Sequence, residues 1–177
     1  MKQVAANPLN TKPLTAKGRP VRKEKSLALD EFLPYRLNVL AQLVAEGLAR
    51  EYSNAFGIVI PEWRIVAALG EQREMTARDI GIHSRMHKTK VSRAVATLIE
   101  RGLIDRRANE TDRREAFLKL SSEGRKIYEA IIPMARAYEA RLTEGVEAAD
   151  LAAVDRVLKH ILRKVGTPSS EPSDTGA

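Results

Sequence analysis

The sequence contains no cysteine. This absence excludes disulfide bonds, thiolate metal sites and thiol-based redox sensing, and it is compatible with a cytoplasmic location. No uninterrupted apolar run is long enough to span a bilayer, so no membrane segment is expected. The N-terminus is basic but has no hydrophobic segment behind it, which argues against a secretory signal. The expected class is therefore a soluble globular protein of the cytoplasm.

Sequence motifs of catalysis are missing as well. The chain has no Gly-rich phosphate loop, no nucleophile motif and no Asp/His cluster within a predicted turn. His83 and His87 are four residues apart, but a predicted turn separates them, and His160 lies far along the chain. A zinc site is therefore disfavoured. We predict a protein that is not an enzyme and has neither a metal nor a cofactor.

Positive charge is concentrated in two segments of the chain. The formal net charge is +7 at pH 7. Residues 1–25 hold seven Lys or Arg against one acidic residue, and residues 85–114 hold nine against four. Such a distribution is the electrostatic footprint expected for binding a polyanion. Residues 1–27 show no periodicity and contain several prolines, which predicts a disordered basic arm, and residues 167–177 are predicted to be a second disordered tail.

A helix is predicted within residues 84–103. Its apolar stripe consists of Val91, Val95, Leu98 and Ile99. The opposite face is small, hydroxylic and cationic, and it carries Thr89, Lys90, Arg93, Ala96 and Thr97. Long cationic side chains reach base edges and phosphates, while small residues let a backbone approach closely, so this face suits a DNA major groove. An ordinary amphipathic helix with a solvated basic face fits the pattern too, and the neighbouring segments favour the DNA interpretation.

Those neighbouring segments predict further helices before the basic one. The first begins near Asp30, a candidate cap, and Gly57 ends it. Pro61 opens a second helix, and Thr76 caps a short third helix over residues 77–83. One face of the second helix is predicted to hold Trp63, Val66, Ala67 and Gly70. A short helix, a tight turn and then a helix with a basic outer face is the pattern of a helix-turn-helix.

A β-hairpin is predicted directly after the basic helix. Residues 103–107 are extended, residues 108–114 are polar and turn-like, and residues 116–120 alternate as a return strand. A hairpin in this position is a wing whose tip can place an arginine in the neighbouring minor groove. A long helix then starts at Ser121 or Ser122, and Asp150 is expected to cap a last helix. The predicted fold class is mainly α with a small β-hairpin wing.

Motifs in the hairpin and the basic helix resemble those of a known family. Residues 112–118 read Asp-Arg-Arg-Glu-Ala-Phe-Leu, which fits a wing signature of Asp, any residue, Arg, three residues and an aliphatic residue. Upstream, residues 88–93 and 98–104 look like a recognition helix and its exit. Over residues 30–165 the sequence resembles the MarR family of bacterial winged helix-turn-helix transcriptional regulators. The resemblance implies a DNA-binding lobe over about residues 58–120, with dimerisation helices over about 30–56 and 122–165.

The resemblance also implies a function and a set of contacts. A homodimer would bind pseudo-palindromic double-stranded operator DNA at the bacterial nucleoid, usually as a repressor that a small ligand releases. Asp112 is expected to orient Arg114, and Arg113 or Arg114 to enter the minor groove. The full set of expected DNA-binding residues is Lys88, Thr89, Lys90, Ser92, Arg93, Thr97, Arg106, Arg107, Asp112, Arg113 and Arg114. Arg106 and Arg107 are expected at phosphates rather than bases.

The effector expected from this resemblance is a small aromatic carboxylate or its acyl-CoA thioester. An aromatic wall with a guanidinium suits such an anion. The candidate ligand-binding residues are Tyr35, Arg36, Asn38, Trp63 and Arg64, although Trp63 and Tyr35 also fit core packing and Arg36 a salt bridge between protomers. Because the chain has no cysteine, the peroxide-sensing branch of the family is disfavoured. The alternative function is a non-specific architectural winged-helix protein that binds nucleic acid, which the basic arm favours slightly.

Overall fold

The computed structural model describes residues 27–109 and 115–166. Within these ranges the chain forms six helices and three short strands. In chain order they are α1 Leu33–Phe56, α2 Ile60–Gln72, β1 Glu74–Thr76, α3 Ala77–Ser84, α4 Lys88–Glu100, β2 Ile104–Ala108, β3 Ala116–Leu120, α5 Ser122–Leu142 and α6 Ala148–Gly166. This confirms the predicted class, mainly α with a small β-hairpin. The predicted tail, the predicted arm up to residue 26 and the hairpin tip at 110–114 lie outside the described residues.

The chain divides into two compact units, one ending at Ile131 and one beginning at Ile132. The first unit contains α1 to α4, the three strands and the first half of α5. The second contains the rest of α5 and α6. Pro133 lies inside α5. The residues that were predicted to bind DNA or an effector, where the structure describes them, all belong to the first unit.

The ends of α1 follow from two residues beside it. Phe32 occupies the cap position in an extended conformation without a side-chain hydrogen bond, and Pro34 lies in the first turn. The prediction that Asp30 caps this helix is therefore wrong, because the helix begins after Phe32. Gly57 ends the helix as predicted, since its φ of 62° is left-handed and its N–H donates to the carbonyl of Ser53 at 2.8 Å.

The N-termini of three other helices use acidic or hydroxyl side chains. The Glu62 carboxylate accepts a hydrogen bond from the N–H of Val59 at 3.1 Å, at the start of α2. Thr76 caps α3 as predicted, because its hydroxyl oxygen accepts from the N–H of Asp79 at 3.1 Å. Asp150 does not cap α6, since that helix begins at Ala148 and Asp150 lies in its first turn. There the carboxylate faces the positive end of the helix dipole.

The strands form one antiparallel sheet in the order β1-β3-β2. The β2–β3 hairpin pairs Ile104 with Leu120 and Ala108 with Ala116, which confirms the predicted hairpin. Strand β1 was not predicted. It is only three residues long, Glu-Met-Thr, and it pairs with β3, where Thr76 lies opposite Phe117. This pairing attaches the hairpin to the start of α3.

The core of the first unit lies between the helices and the sheet. Its fully buried side chains are Tyr52, Ile58, Ile65, Val66, Leu69, Ile80, Val91, Leu98 and Ile131. Of the face predicted for α2, Val66 is buried and Trp63 packs against the core, and the buried face extends to Ile65 and Leu69, which were not predicted. Burial raises the pKa of the Tyr52 hydroxyl to about 12.

Candidate nucleic-acid interface

The turn between α3 and α4 fixes the start of the predicted DNA-reading helix. Arg85 has a left-handed φ of 53°, and the N–H of Met86 donates to the carbonyl of Gly81 at 3.0 Å. His87 occupies the cap position of α4, where its Nδ1 accepts from the N–H of Thr89 at 3.4 Å. The histidine cap was missed at the sequence level because His is not among the preferred capping residues.

Helix α4 packs one face on the core and leaves the opposite face in solvent. Val91, Ala94 and Leu98 are buried, and Val95 is half-buried. Ile99, predicted to belong to the apolar stripe, is 37% exposed, because the centre of the buried face is Ala94. The predicted reading residues in the first two turns are exposed: Lys88, Thr89, Lys90, Ser92 and Arg93. An exposed face with three cations is available to a duplex.

Thr97 lies one turn beyond Arg93 and differs from the other predicted contacts. It is half-buried, and its hydroxyl donates to the carbonyl of Arg93 at 3.2 Å. This hydrogen bond to the preceding turn is common for threonine within helices. The hydroxyl proton is therefore used within α4, and only the oxygen lone pairs remain for a further contact.

The two arginines of β2 lie on opposite faces of the sheet, because side chains alternate along a strand. Arg106 lines a groove shared with α4. Arg107 lies across β3, with its guanidinium carbon 4.8 Å from the centre of the Phe117 ring. Its Nη2 donates to Glu74 at 2.9 Å and its Nε at 3.2 Å, which makes a bidentate ion pair. The structure does not bring Arg107 together with the other predicted DNA contacts.

The hydrogen bond from Arg107 holds the pKa of the Glu74 carboxyl below its usual value. Replacing Arg107 by alanine is expected to raise this pKa towards the usual value, as measured by NMR titration of the Glu74 carboxyl. The stabilisation from a lowered carboxyl pKa is present above the usual pKa and is lost as the pH falls through the folded-state pKa. The stability difference between wild type and the variant should therefore shrink as the pH falls below the usual pKa of a glutamate carboxyl. Arg106→Ala is the matched control, and an equal pKa change in both variants would contradict the assignment.

A groove of about 990 Å³ lies between α3, α4 and the hairpin. Apolar side chains, including Ile82, Val95 and Leu118, form part of its lining. Cationic side chains from three elements and the turn also line it: Arg78, Arg85, Lys88 and Arg106. Arg78 and Arg85 were not predicted as contacts, because their convergence depends on how α3 packs against α4. The groove therefore has cationic side chains from α3, the turn, α4 and β2 around a partly apolar lining, which also includes Glu115.

Comparisons with known proteins agree with this helix-turn-helix and hairpin. A family model described as the MarR family matches residues 56–115. The HTH-type transcriptional regulator YwoH of Bacillus subtilis is 26% identical over 136 residues, which cover 77% of this chain and 98% of that protein. The structure of a MarR/EmrR family transcriptional regulator from Acinetobacter sp. ADP1 is similar with a TM-score of 0.71 and 27% identity, covering 79% and 99% of the two chains. These matches support a winged helix-turn-helix regulator of the MarR type, with the family model covering residues 56–115.

Another similar structure is that of a protein whose DNA binding is regulated by a small molecule. Bordetella bronchiseptica BpsR is similar with a TM-score of 0.68 and 18% identity, covering 77% of this chain and 96% of that one. Its DNA binding is regulated by 6-hydroxynicotinic acid. At this identity the likeness shows the shared fold. The family model and the relatives together support a DNA-binding transcriptional regulator of winged helix-turn-helix type.

Three residues expected at the wing tip of a MarR-family protein lie outside the described residues. They are Asp112, Arg113 and Arg114. The strands on either side of it are described, and Arg106 and Glu115 line the groove. The minor-groove role of the tip remains a prediction from the family resemblance.

The residues expected to bind an effector fall into two groups. Tyr35, Arg36 and Asn38 are exposed near the start of α1. Trp63 is half-buried, with its ring 5.6 Å from that of Tyr52 near the other end of α1. Seventeen helical residues separate Tyr35 from Tyr52, which corresponds to about 25 Å. A single protomer therefore does not bring Trp63 together with the three residues of α1.

Trp63 takes part in an aromatic cluster instead. Its ring centre is also 6.3 Å from that of Tyr128 on α5. Arg64, the next residue of α2, is exposed. The described residues contain no group of three or more histidine or acidic side chains suited to a metal ion. Across the same residues, no helix is both long and apolar enough to cross a membrane.

Proposed function

We propose that this protein is a ligand-responsive repressor of the MarR type. It binds a pseudo-palindromic operator as a homodimer and is released by a small aromatic carboxylate or its CoA thioester. The observation that carries the proposal is the exposed cationic face of α4, which borders a groove lined by Arg78, Arg85 and Arg106. Lys90 and Arg93 reach base edges or phosphates in the major groove, while the groove cations contact phosphates.

The dimer is supported by apolar side chains that each unit leaves in solvent. On α1, Leu40 is 58% exposed and Leu43 is 55% exposed. The apolar stripe of α6 is also exposed, and it consists of Leu151, Val154, Leu158, Leu162 and Val165. Helices with an apolar stripe bury it against another element. A second copy of the chain would cover these stripes, and its two-fold axis would place two α4 helices about 34–36 Å apart in successive major grooves.

The test of DNA recognition is a specificity ratio at fixed salt. Fluorescence anisotropy titrations would compare the DNA upstream of the protein's own gene with random DNA of the same length, while light scattering gives the molar mass. A dimer that prefers its own upstream DNA by about 10³-fold or more is expected. A monomer, or equal affinity for both duplexes, would contradict the proposal, and equal affinity would favour a non-specific architectural protein. Reduced transcription from that promoter on addition of the protein would identify a repressor.

The effector class rests on the family and on the chemistry of the candidate residues. The DNA binding of BpsR, which shares the fold, is regulated by an aromatic acid. In this chain Arg36 follows Tyr35 in the first turns of α1, and both side chains are exposed. The second group, Trp63 and Arg64, lies on another helix, so the site would be complete only where a second protomer brings the two groups together. A bidentate guanidinium contact would hold the carboxylate.

The effector proposal is tested with a panel of aromatic acids and their CoA thioesters. A true effector should release the operator and raise the melting temperature of the free protein, because ligand binding stabilises the folded state. Arg36→Ala is expected to lose both responses while still binding the operator. Arg50→Ala, an exposed arginine of the same helix, is the control. A panel in which no compound changes either quantity would exclude this class of ligand.

A further inference from the structure

Arg101 makes a set of contacts that the DNA interface does not explain. It occupies the C-cap position of α4, directly after Glu100. Its Nη2 donates to the carbonyl of Phe56 at 2.7 Å and its Nη1 to the carbonyl of Gly57 at 3.0 Å. The same Nη1 lies 3.4 Å from a carboxylate oxygen of Glu62, a side chain that is only 9% exposed.

These contacts join the ends of three helices. The carbonyls at Phe56 and Gly57 lie at the C-terminus of α1, where carbonyl groups lack helical partners and carry the negative end of the dipole. Glu62 accepts the N–H of Val59 at the N-terminus of α2 while it pairs with Arg101. A single guanidinium therefore connects the end of α1, the start of α2 and the end of α4. Its planar fork of donors permits this geometry, which a lysine ammonium does not reproduce.

Arg101 is poorly placed to contact DNA itself. It lies eight residues beyond Arg93, which is about 12 Å along the helix axis from the predicted reading end. Its side chain is 32% exposed, and its guanidinium donates to two carbonyls and a carboxylate. An arginine held in this way is oriented towards the protein, so its effect on DNA binding would be indirect.

We propose that Arg101 is a positioning residue for DNA recognition. It holds the C-terminal end of α4 against α1 and α2, so that the reading face of α4 keeps its orientation relative to α1. The inference deepens the proposed function, and it rests on that function where α1 is taken as a dimerisation helix. The position of the two reading helices in the dimer then depends on a contact far from the duplex.

The test uses the full-length variants Arg101→Ala, Arg101→Lys and Glu62→Gln in operator and random-DNA titrations over a range of salt. Arg101→Ala is expected to weaken operator binding by about tenfold or more, within the usual range for coupling between sites. Affinity for random DNA should change less than twofold, and the salt dependence should stay the same because no phosphate contact is lost. Arg101→Lys should show most of the same defect, since it keeps the charge but not the fork. The double variant with Glu62→Gln should be no weaker than Arg101→Ala alone.

Three outcomes would overturn the positioning role. Operator affinity unchanged in Arg101→Ala would remove it directly. A fall in the salt-dependence slope of about 0.9 would show instead that Arg101 neutralises a phosphate. Equal loss for operator and random DNA, in step with a lower melting temperature, would show a contribution to folding alone. Lys126→Ala, which removes an exposed α5 charge paired with Glu123, is the matched control.

Hydrogen exchange separates failure of this inference from failure of the proposed function. Without any DNA, Arg101→Ala is expected to speed amide exchange in the last turns of α1 and α4. The exchange rates in the first turn of α4 should change less. If wild type shows no operator preference, the proposed function fails while this exchange result still decides whether Arg101 holds the three helix ends. Unchanged exchange rates in the last turns of α1 and α4 would overturn the inference, whatever the operator data show.

Discussion

Replacing Lys90 and Arg93 together by alanine is expected to weaken operator binding by about 30- to 1,000-fold, or about 2–4 kcal/mol. This range follows because a base contact contributes about 1–3 kcal/mol and a phosphate contact contributes less. Both side chains are exposed on the face of α4 opposite Val91 and Leu98. Their loss removes two cations from the surface that the duplex would contact and leaves the buried face intact. The measurement is an anisotropy titration with operator and with random DNA.

The single variants divide this effect between sequence reading and charge. Arg93→Ala is expected to reduce the preference for operator over random DNA, whereas a phosphate contact from Lys90 would reduce both affinities and lower the salt slope by about 0.9. Lys126→Ala removes one positive charge elsewhere in the first unit and controls for net charge. Wild-type affinity in the double variant would show that α4 is not the reading helix.

Replacing Gly124 by alanine is expected to destabilise the fold by about 3 kcal/mol, at the upper end for overpacking of a close contact. Gly124 is buried in the first turn of α5, and a methyl group there would overlap the carbonyl oxygen of Leu103. The same junction is fixed by the N–H of Ser121, which donates to that carbonyl at 3.1 Å, and by its hydroxyl, which donates to Gly102 at 2.7 Å. Because the obstacle is backbone, it cannot move aside as a flexible side chain would.

Thermal unfolding measures this effect directly. A loss of about 3 kcal/mol corresponds to a melting temperature roughly 6–12 °C lower for a chain of this size. The matched control is Gly166→Ala at the end of α6, where a methyl group would meet no other atom within 4 Å. That variant should stay within about 0.5 kcal/mol of wild type. If both variants melt at the same temperature, the close approach of α5 to the Leu103 backbone does not constrain the fold.

Local sequence patterns predicted the elements that carry their own signals. The Thr76 cap, the Gly57 stop and the alternation over residues 116–120 were confirmed, because each depends on neighbours within a few residues. Strand β1 gave no such signal. Its three residues become a strand only through pairing with β3, about forty positions later in the chain. The predictions that Asp30 and Asp150 are caps were wrong. Residues of the types that cap helices also occur near helix ends at positions other than the cap.

Within the site, the sequence alone determined the helix-turn-helix, the hairpin and the cationic outer face of α4, because helical periodicity assigns buried and exposed positions without knowledge of the partner. Only the tertiary structure decided how the cations are used. It paired Arg107 with Glu74 and gathered Arg78, Arg85 and Arg106 into the groove. It also directed Arg101 onto the end of α1. The hydrogen-bond partner of a side chain is a group that the packing of the chain brings within about 3 Å. When the two residues are more than thirty positions apart, the local sequence does not indicate that they are in contact.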